Sequence, residues 1–468
     1  MNNLSPLDNR YFKNILPIAK HFSIFNQTKI KATIEIKYLI SLLKYLQSHN
    51  SYLDEELRIP EEYNIDEIFN SLTFKIDNFN DNDYKQIIDF ENNCYHDIKA
   101  IEYWIRYYYD LFYQNSIYIN YKEFIHFGLT SQDINHTGFD YCLKECLEHT
   151  LKPKLQEIGN ILDLKSEEWK HISILGYTHG QAAVPTKLGK EIQVFKHRLD
   201  YCMDLLDNFE FITKMGGAVG NINAHKFIYY KLDWEQFFNN FVSNELGMKR
   251  WQYTTQITNY ENLAHISGIF TMINTIFLDL CQDIWLYCHK DYFKIKKENA
   301  SQVGSSTMPQ KVNPIDFENA EGNIKIANNV LNLMKEKLPV SRLQRDLTDS
   351  TTLRNYGVGL GHMYLALQKI IKGIKKLEPN VDVIIKDLNN HPEVLGEGIQ
   401  CILRIYNIPN AYDIIREATQ NKNFTSEDDF KTNIISILEE KYIMTHQFKH
   451  KIIQRIKELT LDTYSGIF

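Results

Sequence analysis

Apolar residues recur at helical spacing over long stretches of the chain, with polar residues on the complementary faces. Ile34, Tyr38, Leu39, Leu42, Leu43 and Leu46 form one such face, and Thr33 is the expected start of its helix. Leu155, Ile158, Ile161, Leu162 and Leu164 continue the pattern through 151–169. The spacing predicts further long helices over 187–215, 266–287 and 319–338. The most apolar stretch is 266–288, but Asn274, Asp279, Gln282 and Asp283 interrupt it. A lipid-facing span seldom carries such residues, so a helix buried among other helices is predicted. No strand-type alternation between Asn-Gly or Asp-Gly turns is visible, and the class expected is mainly α.

Breakers are scarce, 20 Gly and 11 Pro, which again predicts long elements. Glycines gather at 176–180, at 216–220 and in the 304–314 segment. Irregular backbone is expected there, between helices, where a rigid scaffold usually carries its chemistry. Residues 50–82 are polar and rich in Asn and Asp, predicting connecting segments with short helices. From about residue 370 short amphipathic patterns are separated by His391-Pro392 and Pro409, predicting a small separate helical domain.

Lys and Arg number 52 against 59 Asp and Glu, a net charge of −7. That balance argues against nucleic acid or an anionic membrane as the main partner. It leaves room for an anionic small molecule in a locally positive pocket. The seven cysteines are scattered and odd in number, which fits a reducing compartment better than a disulfide framework. The first 20 residues lack a basic stretch followed by an apolar run, so no secretory signal is expected and the expected location is cytoplasmic. Cys142, Cys146 and His149 share one predicted helix face, but no second Cys/His pair completes a zinc set, and no metal is expected.

The most informative segment is Gly304-Ser305-Ser306-Thr307-Met308-Pro309-Gln310-Lys311-Val312-Asn313-Pro314. A serine hydroxyl is a very poor base. It can serve only where backbone N–H groups or a nearby cation stabilise its alkoxide and water is excluded. Lys311 can supply charge to a substrate carboxylate or to the loop itself.

This string is similar to the signature G-S-S-x-M-P-x-K-x-N of the fumarase/aspartase superfamily, whose members eliminate fumarate from a succinyl group. The run SRLQRDLTDSTTLRN at 341–355 resembles the adenylosuccinate lyase branch. So do Tyr177-Thr178-His179-Gly180-Gln181, HFGLTSQDIN at 126–135 and GAVGNINAH at 217–225. Similar patches run from Ser5-Pro6 and Arg10-Tyr11 to beyond Pro392, and the match is to the proteobacterial-type form.

The resemblance implies an all-α subunit of three parts, 1–119, 120–366 and 367–468, the middle one a bundle of five long helices. It implies a homotetramer whose active sites each collect segments from three subunits, a small-molecule nucleotide substrate, and no cofactor. The implied reaction is anti β-elimination of fumarate from adenylosuccinate, giving AMP, and from the succinyl-carboxamide ribotide of purine synthesis (SAICAR, giving AICAR). By motif, Ser305 is the implied base and His179 the implied acid, a role suited to a side chain that titrates near neutral pH. Ser306, Thr130 and Ser131 are implied carboxylate ligands, and Gln256 an amide donor. Lys311 and Asn313 match the loop's substrate-contacting pair, and Asn319 follows them toward the same pocket. His96, with Asp97 beside it at the start of a helix-like run, matches a substrate-holding histidine. Arg10, Tyr11, Arg345, Ser350 and Arg354 match positions that hold the nucleotide, chiefly its phosphate, which a guanidinium can meet bidentately.

The chain departs from the family pattern at several places. Tyr95 stands where Asn is common, Tyr177 where Arg, Ala182 where Pro, Gly216 where Asn and Gln310 where His. None removes an implied acid, base or cation. A sister lyase acting on argininosuccinate and a catalytically silent relative are the alternatives. The segment from Asp349-Ser350 to Arg354 speaks against the first, and retention of Ser305, His179, Lys311 and Asn313 against the second.

Overall fold

The first long helix, Ile24–Ser48, starts where Ser23 turns its hydroxyl to accept the Asn26 N–H at 3.3 Å. It therefore begins nine residues ahead of Thr33, which lies inside the helix and donates to the Lys29 carbonyl at 2.8 Å. The apolar face had been hidden upstream because only Thr28 and Ala32 carry it into the core there. The structure, a computed structural model, describes residues 4–297, 308, 310–443 and 446–468. Helices dominate it, and the described strands form three two-stranded pairs.

The other predicted long helices are Lys152–Glu168, Leu188–Asp207, Glu261–His289 and Ile315–Lys337. The one expected over 187–215 ends early, where Asn208 turns its amide back to the Asp204 carbonyl at 2.8 Å. Beyond it the chain is extended, and Ile212–Thr213 pairs in parallel with Lys249–Arg250. Glu261–His289 is long and apolar enough by composition to cross a membrane. Its Ile266, Phe270, Ile273, Phe277, Leu280 and Ile284 are buried in the protein, and Asn274 within it bonds Asn328 at 2.8 Å. Met272, Trp285 and Leu286 on the same helix are left exposed.

The chain forms two compact units, one of Met1–Leu155, Cys202–Thr275 and Gly322–Leu367, the other of Gln156–Tyr201, Ile276–Glu321 and Gln368–Phe468. In the first, Tyr38 is fully buried and stacks on Phe238, with Leu39, Leu42 and Leu43 beside it. In the second, the helices Val381–Asn389, Gly396–Ile405, Ala411–Thr419, Glu427–Lys441 and Lys449–Glu458 enclose a core of Ile399, Leu403, Phe430, Ile434 and Ile452. Leu175 packs into that core. It belongs to an antiparallel hairpin, Ser173–Thr178 with Gln181–Lys187, where irregular backbone was expected.

Candidate active site

In the first unit, the Thr130-Ser131 pair stands at the N-terminus of helix Ser131–Cys146. Thr130 is extended, and Asp133 reaches back to accept its N–H at 2.8 Å. The same carboxylate, fully buried, takes the N–H groups of Gly216 at 2.8 Å and Gly217 at 3.0 Å. It also pairs with Lys214 at 2.6 Å. Lys214 is itself fully buried, donates to the Gly217 carbonyl at 2.6 Å, and is held below its ordinary pKa by burial. One buried ion pair thus joins the glycine-rich 216–220 loop to the Thr130 turn. Gly217 and Gly220 both have positive φ, and a Cβ on Gly220 would lie 2.4 Å from the Thr254 carbonyl oxygen. Sequence reasoning assigned no role to Asp133 or Lys214. The Thr-x-x-Asp spacing of a capping box was the available signal for the first.

The next residue along that helix, Gln132, faces Arg345. With its amide oxygen toward the guanidinium, Gln132 accepts from Nη1 at 2.8 Å and Nη2 at 2.7 Å. Arg345 further donates to Ser350 Oγ at 3.0 Å and to Gln256 Oε1 at 3.4 Å. The structure therefore brings three of the expected residues, Gln256, Arg345 and Ser350, onto one guanidinium. Behind them lies a buried layer. His136 accepts the Thr258 N–H at Nδ1, 3.1 Å, and its Nε2 meets Tyr260 Oη at 2.7 Å. Tyr260 donates to Asp349 at 3.0 Å. Burial lowers the pKa of His136. Burial would raise that of Asp349, but hydrogen bonds from His136 and the Ser350 N–H, with the Arg345 charge, hold it below the usual range. The arginine thus faces a carboxylate that stays ionised, which fixes its orientation.

Arg10 and Arg354 are exposed, with no hydrogen-bond partner among the described residues. Tyr11 packs on Leu7, Ile15 and Leu365, with the Arg10 guanidinium 5.8 Å from its ring. His96 caps helix Asp97–Tyr113, its Nδ1 accepting the Lys99 N–H at 3.3 Å, so the neutral ring carries its proton on Nε2. Asp97 pairs with Lys31 at 3.3 Å.

Tyr95, just before them, departs from the resembled pattern at a position whose backbone favours Asn. It ends helix Asp81–Cys94 in the left-handed conformation, φ 54°, with its ring exposed. That conformation costs a bulky side chain about 1–2 kcal/mol and suits Asn. Tyr95→Asn is expected to stabilise the protein by about 1 kcal/mol, read as a higher urea midpoint. An unchanged or lower midpoint would mean that the tyrosine ring compensates for the strain.

Two further histidines in the motif strings were missed as determinants. His225 is fully buried, bonds Tyr38 Oη at 2.6 Å, and has its pKa lowered by burial to about 4. A Cβ on Gly128 would lie 2.4 Å from its ring, so glycine is required there. His126 pairs with the fully buried Glu35 at 2.6 Å. Burial alone would lower its pKa, but the Glu35 charge and hydrogen bond outweigh that and raise it. With the folded value above the unfolded one, the pair's stabilisation is complete below about pH 6.5 and is lost as pH rises through the folded value. The urea-midpoint gap between wild type and Glu35→Gln should therefore narrow as pH rises above about 6.5 and passes through the folded value. A constant gap would show that the pair does not titrate in this range.

In the second unit, His179 and Gly180 form the two-residue turn of the hairpin, with φ of 53° and 72°. Positive φ at both central positions is what a tight hairpin turn requires. His179 is exposed, not a core histidine. Lys311 is exposed, while Asn313 and Asn319 are partly buried, the latter on helix Ile315–Lys337. Ser305 and Ser306 lie outside the described residues. The segments flanking them converge on Lys376. The strand Phe293–Ile295 pairs with Leu377–Pro379, and Lys296 donates its N–H to the Lys376 carbonyl at 2.9 Å. On the far side Asp316 pairs with Lys376 Nζ at 2.6 Å.

Residues 18–330 match the family described as Lyase, and residues 341–465 the family described as adenylosuccinate lyase C-terminal. An adenylosuccinate lyase of Dictyostelium discoideum is 42% identical over 448 residues, 93% of each chain. One of Legionella pneumophila is 38% identical over 467 residues, covering 100% of this chain and 97% of its own. One of Escherichia coli K12 is 37% identical over 425 residues, 91% and 90% of the two chains. Among solved structures, a fumarate lyase from Mesorhizobium sp. BNC1 superposes with a TM-score of 0.70 at 13% identity, covering 96% of this chain and 94% of that one. A β-carboxy-cis,cis-muconate cycloisomerase from Acinetobacter calcoaceticus gives 0.68 at 14% identity, with the same coverage. At such low identity these two show the fold alone, whereas the curated relatives run nearly end to end. With Arg345, Ser350 and Arg354 inside the second family match, the chain belongs to the adenylosuccinate lyase family.

Proposed function

We propose that this lyase removes fumarate from adenylosuccinate to leave AMP, and from SAICAR to leave AICAR, with Ser305 as base and His179 as acid. The base takes a proton from the succinyl carbon next to a carboxylate, and the electron pair is held as an aci-carboxylate. The C–N bond then breaks, fumarate forms its double bond, and the acid returns a proton to the departing nitrogen. Thr130, Ser131, Ser306, Gln256, Lys311 and Asn313 hold the succinyl group, with His96 and Asn319 at its margin. Arg10, Tyr11, Ser350, Arg345 and Arg354 hold the nucleotide.

The observation that carries this is the Arg345 cradle. The guanidinium is held in place by neutral acceptors, Gln132, Gln256 and Ser350, which a phosphate could displace because a charged acceptor binds it more strongly. We place the protein in the cytoplasm as a homotetramer of three-part subunits, 1–119, 120–366 and 367–468, sharing sites between copies. Exposed Met272, Trp285 and Leu286 on one long helix, and Ile326 and Leu333 on another, support burial against further copies.

The test is incubation with adenylosuccinate, following loss of the succinyl-adenine absorbance together with fumarate release. One fumarate per substrate lost is expected. Fumarate from argininosuccinate alone, or none from any succinyl compound, would overturn the assignment.

A further inference from the structure

His179 has no side-chain hydrogen-bond partner among the described residues, so the hairpin backbone alone sets where its imidazole stands. What fixes the hairpin is therefore a functional question. Its register shifts between Leu175 and Tyr177, where Ala183 and Val184 of the second strand oppose the single Gly176, so the bulge lies on the second strand. A Cβ on Gly176 would lie 2.6 Å from the Val184 carbonyl oxygen, which requires glycine at this close approach. Tyr177 then donates its phenol proton to Asp387 Oδ2 at 2.6 Å, on helix Val381–Asn389.

That one carboxylate oxygen is heavily engaged. Tyr292 donates to it at 2.5 Å, and Lys290 Nζ lies 3.3 Å away. The Lys290 ammonium also sits 3.7 Å from the centre of the Tyr177 ring. His391 Nε2 lies 3.9 Å from the other carboxylate oxygen. Burial would raise the pKa of Asp387, but the two phenols and the lysine hold it below the usual carboxylate range. The result is a charged acceptor with several donors, one of them Tyr177, two residues before His179. Lys290 and Tyr292 immediately precede the strand Phe293–Ile295, which leads to the signature segment.

We propose that Tyr177 and Asp387 are positioning residues for the elimination, holding the hairpin so that His179 meets the departing nitrogen. This rests on His179 being the acid, and the test separates the two ideas. Tyr177→Phe removes one oxygen and is expected to lower kcat about 10-fold, with KM changed less than about 2-fold. Tyr177→Arg, whose guanidinium can also donate to Asp387, is expected to lose less than Tyr177→Phe. In a His179→Gln background, Tyr177→Phe should lower kcat no further, because the group it positions is already gone.

Asp387→Asn should show the same non-additivity, so a folding failure of one variant leaves the other to decide. Equal losses from Tyr177→Phe with and without His179 would mean a general structural role and overturn the proposal. So would an unchanged kcat in Tyr177→Phe beside a loss of at least ~10²-fold in His179→Gln, which would leave the acid assignment standing. Full activity in His179→Gln would overturn both.

Discussion

Ser305→Ala is expected to lower kcat by at least ~10²-fold while adenylosuccinate still binds. Removing the proton next to a carboxylate needs a base that acts only as the reaction proceeds, so its loss should fall on kcat rather than on binding. Lys311 and Asn313, six and eight residues on in the same signature, are unchanged in this variant, and they are the residues proposed to hold the succinyl group. An unchanged turnover would remove Ser305 from the mechanism. The variant also tests how sites are assembled. If each site takes Ser305 and His179 from different subunits, mixing Ser305→Ala with His179→Ala subunits regenerates intact sites. Random assortment would restore roughly a quarter of them. No recovery, with subunit exchange shown independently by mass, would mean that both groups of a site come from one chain.

The long helices were legible because their apolar positions repeat every three to four residues over four or more turns. Their ends were less so. Thr33 resembled a start only because the face ahead of it is thin in large side chains, and capping by Ser23 decided the matter. The hairpin was missed because Ser173–Thr178 has two consecutive buried residues and Gln181–Lys187 carries a bulge, which break the alternation of the two strands. Motif matching found Gln256, Arg345 and Ser350, and the fold puts them together. The residues that hold them in place were not legible. Tyr260 and Asp349 are 89 positions apart and Asp133 and Gly216 are 83, and one sequence carries no record of such pairings. Burial of charge, which makes Asp133 and Lys214 consequential, is likewise a tertiary property.

Asp133→Ala is expected to be the most damaging substitution near the site, costing about 3–5 kcal/mol. It removes the acceptor for the N–H groups of Thr130, Gly216 and Gly217 and the partner of a fully buried ammonium. Among the described residues Lys214 would keep the Gly217 carbonyl as its acceptor, and its pKa, already lowered by burial, would fall further. Lys214→Met should cost less, because the carboxylate it abandons still accepts three backbone N–H bonds. The double variant Asp133→Asn/Lys214→Met removes both charges and keeps one acceptor oxygen, so it should cost less than Asp133→Asn and Lys214→Met added together. Thermal and urea midpoints of the four variants give the order. If Lys214→Met proved worse than Asp133→Ala, the ammonium rather than the convergence of N–H groups would be what holds the glycine loop against the Thr130 turn. Activity would then fall with the lysine rather than with the carboxylate.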